Sequence, residues 1–156
     1  ETASGAARVV GQLNRTLCRR GMAERFVTLF YGVMTRDHRF TYCNAGHCRP
    51  ILVRQSSVRR LAVGGLPPGL FGDAQYDEES LYVEAGDTLV VFSDGICEAS
   101  SRAQQFGDAR IQQIDMEHHD ETAFAILDRV MSGVRDFTRG ARQRDDMSVF
   151  VVKYLA

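Results

Sequence analysis

The chain has 156 residues, of which 44% are hydrophobic and 25% are charged, and this length predicts a single domain, residues 1–156, with a buried core. Its 19 basic and 20 acidic residues give a formal net charge of −1, so no overall positive field exists to attract nucleic acid or an anionic membrane. No apolar run approaches the roughly 18 residues of a membrane span, and the first residues lack a hydrophobic signal segment. We therefore expect neither a membrane span nor a nucleic-acid partner.

The first predicted element is an amphipathic helix near the N-terminus. Ser4 can cap its start, and Gly21 can end it. Between them, apolar residues recur at the 3.6-residue spacing of one helix face: Ala6, Val9, Val10, Leu13 and Leu17. The chain begins at Glu1 without an initiator methionine, so we expect a fragment or a processed product.

Two β-hairpins are predicted next, the first over residues 26–35 and 39–44 and the second over residues 49–54 and 58–61. Between them lies a turn that contains Asn44 and His47. A histidine at a strand end can act as a general acid, a metal ligand or an orienting residue, but a lone histidine is more often a hydrogen-bonded structural residue. No residue pairs with His47 as a catalytic triad requires, so we favour a structural or ligand-orienting role. Asn44 is interpreted first as a turn residue.

The four cysteines are scattered, and a chain of this size folds without disulfides. We therefore predict that they are reduced and that the protein is cytoplasmic. Cys43, His47 and Cys48 form a grouping that could bind zinc. Their spacing lacks the paired cysteines and paired histidines of structural zinc sites, which argues against this interpretation.

A Gly- and Pro-rich loop, residues 64–72, leads to a further pair of strands. Residues 75–83 predict one strand, which is expected to pair with residues 87–93 through a short turn. Within the second strand, residues 89–92 form an unbroken apolar run rich in β-branched residues. Such a run is typical of a strand that is buried on both faces.

Helical periodicity dominates the region after this strand. Asp108 can cap a short helix, and Asp120 can cap a longer one that ends at Gly140. One apolar face of the longer helix is predicted to enter the core, and it comprises Ala123, Leu127, Val130, Val134 and Phe137, with Phe124 and Met131 widening it. Hairpins first, helices next and a final strand that returns to the sheet describe an α+β layered domain.

Two acidic sites flank the apolar strands. Asp94 and Gly95 follow the strand that is buried on both faces, and Asp145 and Asp146 precede a last apolar run at residues 148–152. If these two strands are antiparallel neighbours, Asp94 and Asp145 meet at one edge of the sheet, and hard divalent cations prefer such oxygen ligands. Alternatively, both sites are solvated strand ends, and Asp94 and Gly95 form an ordinary turn.

Several short motifs occur in a fixed order along the chain. They are FVTLFYG at 26–32, YCNAGH at 42–47, LPPGLF at 66–71, GDTL at 86–89, SDG at 93–95 and DDMS at 145–148. Each motif alone is weak, but the ordered set resembles the SpoIIE/RsbU-type branch of the metal-dependent (PPM) serine/threonine protein phosphatase family. The resemblance covers nearly all of the chain from about Leu13 onward.

The resemblance implies a PPM-phosphatase-like antiparallel β-sandwich flanked by helices, with a metal centre at one end. It implies that water activated between two Mn²⁺ or Mg²⁺ ions hydrolyses phosphoserine or phosphothreonine, without a catalytic nucleophile from the protein. Asp94 and Asp145 match two metal-ligand carboxylates of the family. Gly95 and Asp146 match the same motifs as backbone or supporting contacts, and the Asn44–His47 turn matches a motif outside the ligand set.

The same resemblance implies a partner and a setting. The substrate would be a phosphorylated anti-anti-sigma (STAS-domain) protein in bacterial signalling, and a sensor or receiver domain would lie upstream in the parent chain. The family also carries an upstream Gly-Asp-Val-x-Gly-His-Gly segment, whose aspartate bridges the metals, and a preceding acidic ligand, neither of which these residues contain. We therefore expect an N-terminally truncated domain, the C-terminal two-thirds or more, with weak or absent metal binding and little activity by itself.

Two alternative functions stay open. The missing segment favours a degenerate, noncatalytic phosphatase-like domain that binds a partner. An unrelated metal-binding module would use Cys43, His47 and Cys48, although their irregular spacing counts against it.

Overall fold

The structure, a computed structural model, describes residues 5–19, 26–55, 57–101, 104–139, 143 and 145–155. The described residues form two compact units. The first unit contains the described residues up to His47 together with Ala62–Val83. The second contains Cys48–Leu61 and the described residues from Glu84 onward.

The elements of both units alternate along the chain. In chain order they are α1 (Ala6–Arg19), β1 (Leu29–Met34), β2 (Arg39–Ala45), β3 (Ile51–Arg54), β4 (Ser57–Arg60), β5 (Gly64–Gly65), β6 (Glu79–Tyr82), β7 (Thr88–Phe92), α2 (Asp94–Cys97), β8 (Ser100–Ser101), β9 (Gln104–Gln105), α3 (Gly107–Glu117), α4 (Ala123–Thr138) and β10 (Val149–Lys153). Helices and mainly antiparallel strands agree with the predicted α+β class.

In the first unit, β2 is the central strand of a four-stranded sheet. β1 pairs antiparallel with one edge of β2, as the first predicted hairpin requires. Along the other edge, β6 pairs antiparallel with the first half of β2, and β5 pairs parallel with its end. Ala6 and Val10 of α1 join Cys43 and Ala45 of β2 in a small buried cluster. The amphipathic helix therefore covers the sheet with its apolar side.

The apolar face predicted for α1 is only partly the buried face. Val10 is buried, but Leu13 is 36% exposed and its neighbour Asn14 is 1% exposed. The predicted ends of the helix, Ser4 and Gly21, lie outside the described residues. The burial of a polar residue in place of a leucine follows from what Asn14 binds.

Asn14 holds the Gly- and Pro-rich loop against α1. Its Nδ2 donates a hydrogen bond to the carbonyl oxygen of Phe71 at 2.9 Å, and its Oδ1 accepts one from the backbone N–H of Gly69 at 2.8 Å. A buried amide is tolerated where both its donor and its acceptor are used. Asn14 therefore fixes an irregular segment that has no strand or helix ladder over most of its length.

In the second unit, β10, β7, β3 and β4 form an antiparallel sheet in that order. The hairpin of β3 and β4 is the second predicted hairpin, and the prediction is confirmed. Residues from β3, β7, α2, α3, α4 and two connecting segments form the main core: Ile51, Val53, Val90, Phe92, Ile96, Ala99, Phe106, Ile111, Ile126, Val130 and Val134. Burial of these apolar side chains is the dominant favourable contribution to the folding of this unit.

The predicted pairing of residues 75–83 with residues 87–93 is wrong. The first of these segments forms only β6, which pairs with β2, whereas β7 pairs with β3 and β10. The turn between them is held by Asp87, which is 3% exposed and binds the Arg54 guanidinium through both oxygens at 2.9 and 2.7 Å. Asp87 also accepts a hydrogen bond from the N–H of Glu84 at 2.9 Å. These contacts direct the chain into β7 beside β3, not back along β6.

The region after β7 also differs in detail from the prediction. The short strands β8 and β9 separate α2 from α3. The capping residue of α4 is Thr122, whose Oγ1 accepts the N–H of Ala125 at 3.2 Å, and not Asp120. Asp108 lies within the first turn of α3 and forms an ion pair with Arg60.

The core face of α4 is centred differently from the prediction, which included Phe124 and left out Ile126. Ile126, Val130 and Val134 are its buried residues, whereas Phe124 is 78% exposed. Phe124 lies two residues before Ile126, and such a spacing puts the two side chains on different sides of a helix. The predicted stop at Gly140 lies outside the described residues. Within the described part of the chain, no helix is long and apolar enough to cross a membrane.

Candidate metal-binding site

The candidate site lies where β7 ends and β10 begins. These strands are antiparallel neighbours, with Phe92 opposite Val149, so the condition for Asp94 and Asp145 to share one edge of the sheet is met. β7 lies between β3 and β10, and its residues alternate between buried and partly buried, so the predicted burial on both faces is complete on one face only. Asp94 therefore follows directly on a strand that has two hydrogen-bonded neighbours, and its backbone is firmly placed.

Ser93 extends the pairing beyond the last residues of the two strands. Its N–H donates to the carbonyl oxygen of Ser148 at 2.9 Å, and its Oγ accepts the N–H of Ser148 at 2.9 Å. The same hydroxyl donates to the carbonyl oxygen of Asp146 at 3.1 Å. One serine thus ties the segment before α2 to the segment before β10. The sequence interpretation gave Ser93 no role of its own, although it is the first residue of the SDG motif.

Gly95 allows the two acidic segments to approach each other closely. A methyl group on its Cα would lie 2.2 Å from the carbonyl oxygen of Asp146 and 3.3 Å from that of Asp145. Both distances are measured to backbone atoms, which cannot rotate away as a side chain would. Glycine is therefore required here by a close approach of the backbone. The structure brings together Asp94, Gly95, Asp145 and Asp146.

The carboxylates at this edge are exposed and lie on short, locally ordered segments. Asp94 is the first residue of α2, and its Oδ1 accepts the N–H of Gly95 at 2.9 Å. The Oδ1 of Asp145 accepts the N–H of Asp146 at 2.7 Å, and the Nε2 of Gln143 donates to the Asp145 carbonyl oxygen at 2.7 Å. The two bonds from backbone N–H groups orient the carboxyl groups, and both aspartates are exposed.

The chemistry of these donors fits part of a site for a hard divalent cation. Carboxylate and carbonyl oxygens are the ligands that Mg²⁺ and Mn²⁺ take in proteins. Among the residues that the structure describes, however, no group of three or more His, Cys, Asp or Glu side chains is close enough to hold a metal ion. Asp94 and Asp145 alone therefore do not make up a complete ligand set within this part of the chain.

Asn44 and His47 belong to the first unit and form their own turn. Asn44 is buried at the end of β2, and its Oδ1 accepts the N–H of His47 at 2.9 Å. Between them, Gly46 has a φ of +76°, which suits glycine. The interpretation of Asn44 as a turn residue is confirmed by this hydrogen bond, and the ligand-orienting role of His47 stays a prediction.

The cysteines are divided between the two units, and all four are free. Cys43 is buried in the first unit, and burial raises its thiol pKa to about 11. Cys48 belongs to the second unit, where its Sγ lies 3.8 Å from the Sγ of Cys97. Burial raises the pKa of both these thiols, that of Cys97 to about 12. Cys48 therefore lies beside Cys97, a neighbour that the spacing of the cysteines in the sequence did not indicate.

Comparison with known proteins places this geometry in a family. The profile of the family described as Stage II sporulation protein E (SpoIIE) matches residues 2–155, almost the whole chain. Among curated proteins, the phosphoserine phosphatase RsbU of Bacillus subtilis is 28% identical over 159 residues, which cover 98% of this chain and 46% of RsbU. The chain thus spans less than half the length of that relative.

Solved structures share the fold. The phosphatase domain of the cell fate determinant SpoIIE from Bacillus subtilis, presoaked with Mn, has a TM-score of 0.75 at 24% identity, covering 100% of this chain and 68% of that one. The RsbU and RsbW domains of a Mycobacterium tuberculosis protein match with a TM-score of 0.76 at 20% identity, covering 99% and 43%.

The predicted family and fold class are confirmed by these comparisons: the mixed α+β arrangement with antiparallel sheets is that of PP2C-type (PPM) phosphatase domains. The chain belongs to the SpoIIE family, in the SpoIIE/RsbU branch of the PP2C-type phosphatase domains.

Proposed function

We propose that this chain is part of a metal-dependent protein serine/threonine phosphatase domain, which removes phosphate from phosphoserine or phosphothreonine in another protein. The chain contributes the acidic edge, by which we mean Asp94 and Gly95 after β7 together with Asp145 and Asp146 before β10. The observation that supports the proposal is the close approach of Gly95, the neighbour of Asp94, to the backbone of Asp145 and Asp146 where β7 pairs with β10. Exposed carboxylates held on a rigid sheet edge suit a cation that must also contact a substrate in solution.

In this proposal, Asp94 and Asp145 hold Mn²⁺ or Mg²⁺, two ions when the domain carries its full ligand set. A bound divalent cation lowers the pKa of a coordinated water and neutralises phosphoryl oxygens. Ser93 and Gly95 keep the two acidic segments close together: Ser93 donates a hydrogen bond to the backbone carbonyl of Asp146, and Gly95 leaves room for that carbonyl. Asn44 and His47 are proposed as supporting residues that shape the turn after β2.

The proposed substrate is a phosphorylated STAS-domain anti-anti-sigma protein, and the proposed setting is the bacterial cytoplasm, with a sensor or receiver domain upstream. Two relatives support this proposal: RsbU is a phosphoserine phosphatase, and the Mycobacterium tuberculosis protein joins an RsbU domain to an RsbW domain. The formal net charge of −1 supplies no overall positive field for nucleic acid, so a protein substrate is the partner that we propose.

The test separates the acidic edge from other surface carboxylates. In the protein extended upstream to include the family's acidic segment, Asp94→Asn and Asp145→Asn should each lower Mn²⁺ affinity by about 10- to 100-fold, because each removes a ligand charge. Hydrolysis of a phosphoserine peptide should fall at least as much. Asp136→Asn, an exposed aspartate on α4, is the matched control and should change neither quantity. Unchanged Mn²⁺ affinity in both edge variants would refute the assignment of the site.

A second candidate function is a noncatalytic phosphatase-like domain that binds a protein partner. It is favoured by one observation, the lack of a cluster of three or more candidate metal ligands among the described residues. The two candidates differ in the extended protein: a catalytic domain turns over phosphoserine peptide in Mn²⁺, and a noncatalytic domain does not, although it folds.

A further inference from the structure

Two thiols of the second unit lie close together beside the acidic edge. Cys48 stands before β3, and Cys97 is the last residue of α2. Their sulfur atoms are 3.8 Å apart, and both side chains are half-buried against the main core of the unit. The two residues are distant in sequence, so folding alone brings them together.

Cys97 is joined to Asp94 in two ways. Both belong to α2, a single turn of four residues in which Asp94 is the first and Cys97 the last. The Cys97 thiol also contacts the carbonyl oxygen of Asp94, with an Sγ to O distance of 3.5 Å. A displacement of Cys97 is therefore transmitted to Asp94 over a very short path.

We propose that Cys48 and Cys97 form a redox-sensitive pair that hydrogen peroxide converts to a disulfide, and that closing this bond displaces α2 and with it Asp94. In the reaction, peroxide first oxidises one thiol to a sulfenic acid, with breakage of its O–O bond and release of one water. The second sulfur then attacks the sulfenic sulfur, the S–S bond forms and a second water leaves. Two thiol hydrogens and two electrons thus reduce one peroxide to two waters.

Closing the bond requires the two sulfurs to move, and the part of this movement that side-chain rotation does not supply falls on the backbone of α2 or of the segment before β3. A disulfide has an S–S length of about 2.05 Å, so the two sulfurs must approach each other by about 1.7 Å from their present separation of 3.8 Å. The strand β3 that follows Cys48 is paired on both sides, and Ile51 and Val53 are fully buried. α2 is a single turn whose Ile96 is buried in the core, but it lacks the two hydrogen-bonded neighbours of β3, so we expect α2 to move more than that strand.

The displacement would be felt at the acidic edge because Gly95 already touches the Asp146 backbone. A shift of α2 in either direction alters that contact or the hydrogen bonds of Ser93 to Asp146 and Ser148. The disulfide itself is independent of the proposed function. Its effect on a metal ion rests on the proposed function, and the experiment therefore has one readout for each.

The first readout is the bond. Burial raises the pKa of both thiols, so the reduced chain is treated with excess hydrogen peroxide for several hours at about pH 9, which increases the small thiolate fraction. It is then digested and analysed by mass spectrometry without reduction. We expect a Cys48–Cys97 cross-linked peptide, reversed by dithiothreitol and absent from Cys48→Ser and Cys97→Ser. Cys43→Ser is the matched control and should still give the cross-link. The proposal is overturned if these two cysteines are oxidised without being joined, or if they stay reduced in excess peroxide.

The second readout is the displacement. In ¹H–¹⁵N spectra, oxidation should shift the amide signals of Gly95 and Ser148, whose N–H groups bind within the edge, and should leave those signals unchanged in Cys97→Ser. In a titration with Mn²⁺, the oxidised chain should bind at least about 5-fold more weakly than the reduced chain, a modest change for a displaced ligand. Unshifted edge signals in the cross-linked protein would refute the coupling. Shifted signals without any Mn²⁺ binding in the reduced chain would uphold the coupling and count against the proposed metal site.

Discussion

The second unit contains two kinds of aspartate in opposite environments. Asp94 and Asp145 are exposed at the β7–β10 edge, each oriented by a backbone N–H. Asp115 on α3 is 0% exposed, and among the described residues neither of its oxygens has a hydrogen-bond partner. Burial raises the pKa of Asp115 to about 7, while Lys153 and His119 act in the opposite direction. The edge carboxylates are therefore available to a cation, whereas Asp115 holds a proton up to near-neutral pH and binds none.

The largest expected effect tests the buried side of this comparison. Burial raises the pKa of Asp115 in the folded state from its ordinary value of 3.8 to about 7, so the folded state binds the proton more tightly than the unfolded state does. The resulting stability is present below about pH 4 and is lost as the pH rises to about 7. Between about pH 3.5 and pH 8, the free energy of unfolding of Asp115→Asn should rise relative to the parent by about 4 kcal/mol.

Urea unfolding at a series of pH values measures that difference. Asp128→Asn, an exposed aspartate on α4, is the control and should follow the parent at every pH. A pH-independent difference for Asp115→Asn would mean that the carboxylate is ionised in the folded protein, and the contrast with the edge carboxylates would be lost.

The next effect tests how tightly the edge is built. Gly95→Ala should lower the free energy of unfolding by about 2 kcal/mol, because its methyl group would overlap the Asp146 carbonyl and force a backbone to move. Gly11→Ala in α1 is the matched control. Its methyl group meets the flexible Arg15 side chain at 3.5 Å, so it should stabilise the helix by about 0.5–1 kcal/mol. If both substitutions stabilise the protein, the close approach at the edge is not real.

A smaller effect tests whether the edge carboxylates contribute to folding at all. Without metal, Asp94→Asn and Asp145→Asn should each change the free energy of unfolding by no more than about 0.5 kcal/mol, as is usual for exposed side chains. Chemical unfolding in a chelating buffer measures this. A loss of several times that size would show that these aspartates stabilise the fold. Their exposure would then not mean that they are free to bind a cation.

The smallest effect concerns Mn²⁺ and this chain by itself. A ligand at a concentration equal to its dissociation constant stabilises a protein by about 0.4 kcal/mol. With only part of a ligand set among the described residues, we expect that constant to lie in the millimolar range. The midpoint temperature of thermal unfolding should therefore rise slightly in millimolar MnCl₂ for the parent and stay unchanged for Asp94→Asn. Tight binding of two ions would contradict this prediction.

The part of the site that could be predicted from sequence is the part encoded by local pattern. The run at residues 89–92 is apolar and β-branched, and Asp94 and Gly95 end it, so both the strand and its acidic end follow from neighbouring residues. The prediction that Asp94 and Asp145 share one edge depended on the antiparallel pairing of β7 with β10, which the sequence did not establish and the structure shows. The carboxylate-to-carboxylate arrangement stays a prediction of the proposed function.

Two of the misses share one cause, which is a contact made over a long sequence separation. A Gly86-containing turn indicated a hairpin between β6 and β7, but Asp87 binds Arg54, a residue of β3. Asn14 is buried because of two backbone groups in the loop that follows β5, and no helical pattern can reveal them. Phe124 was included in the predicted core face of α4 because it is apolar, but the structure leaves it exposed. Hydrophobic pattern locates elements, and long-range polar contacts decide their neighbours and some of their faces.

The hydrogen bonds of Ser93 also have a consequence for the order in which the protein acquires its site. Ser93 and Ser148 are separated by 55 positions in the chain, with α2, α3 and α4 between them. Contacts of such long range close late, because the intervening loop must lose its freedom first. During synthesis, the SDG segment leaves the ribosome well before the DDMS segment that completes the edge. A nascent chain interrupted after α4 can form the helices but has no acidic edge, so any affinity for a divalent cation would arise only when β10 adds to the sheet.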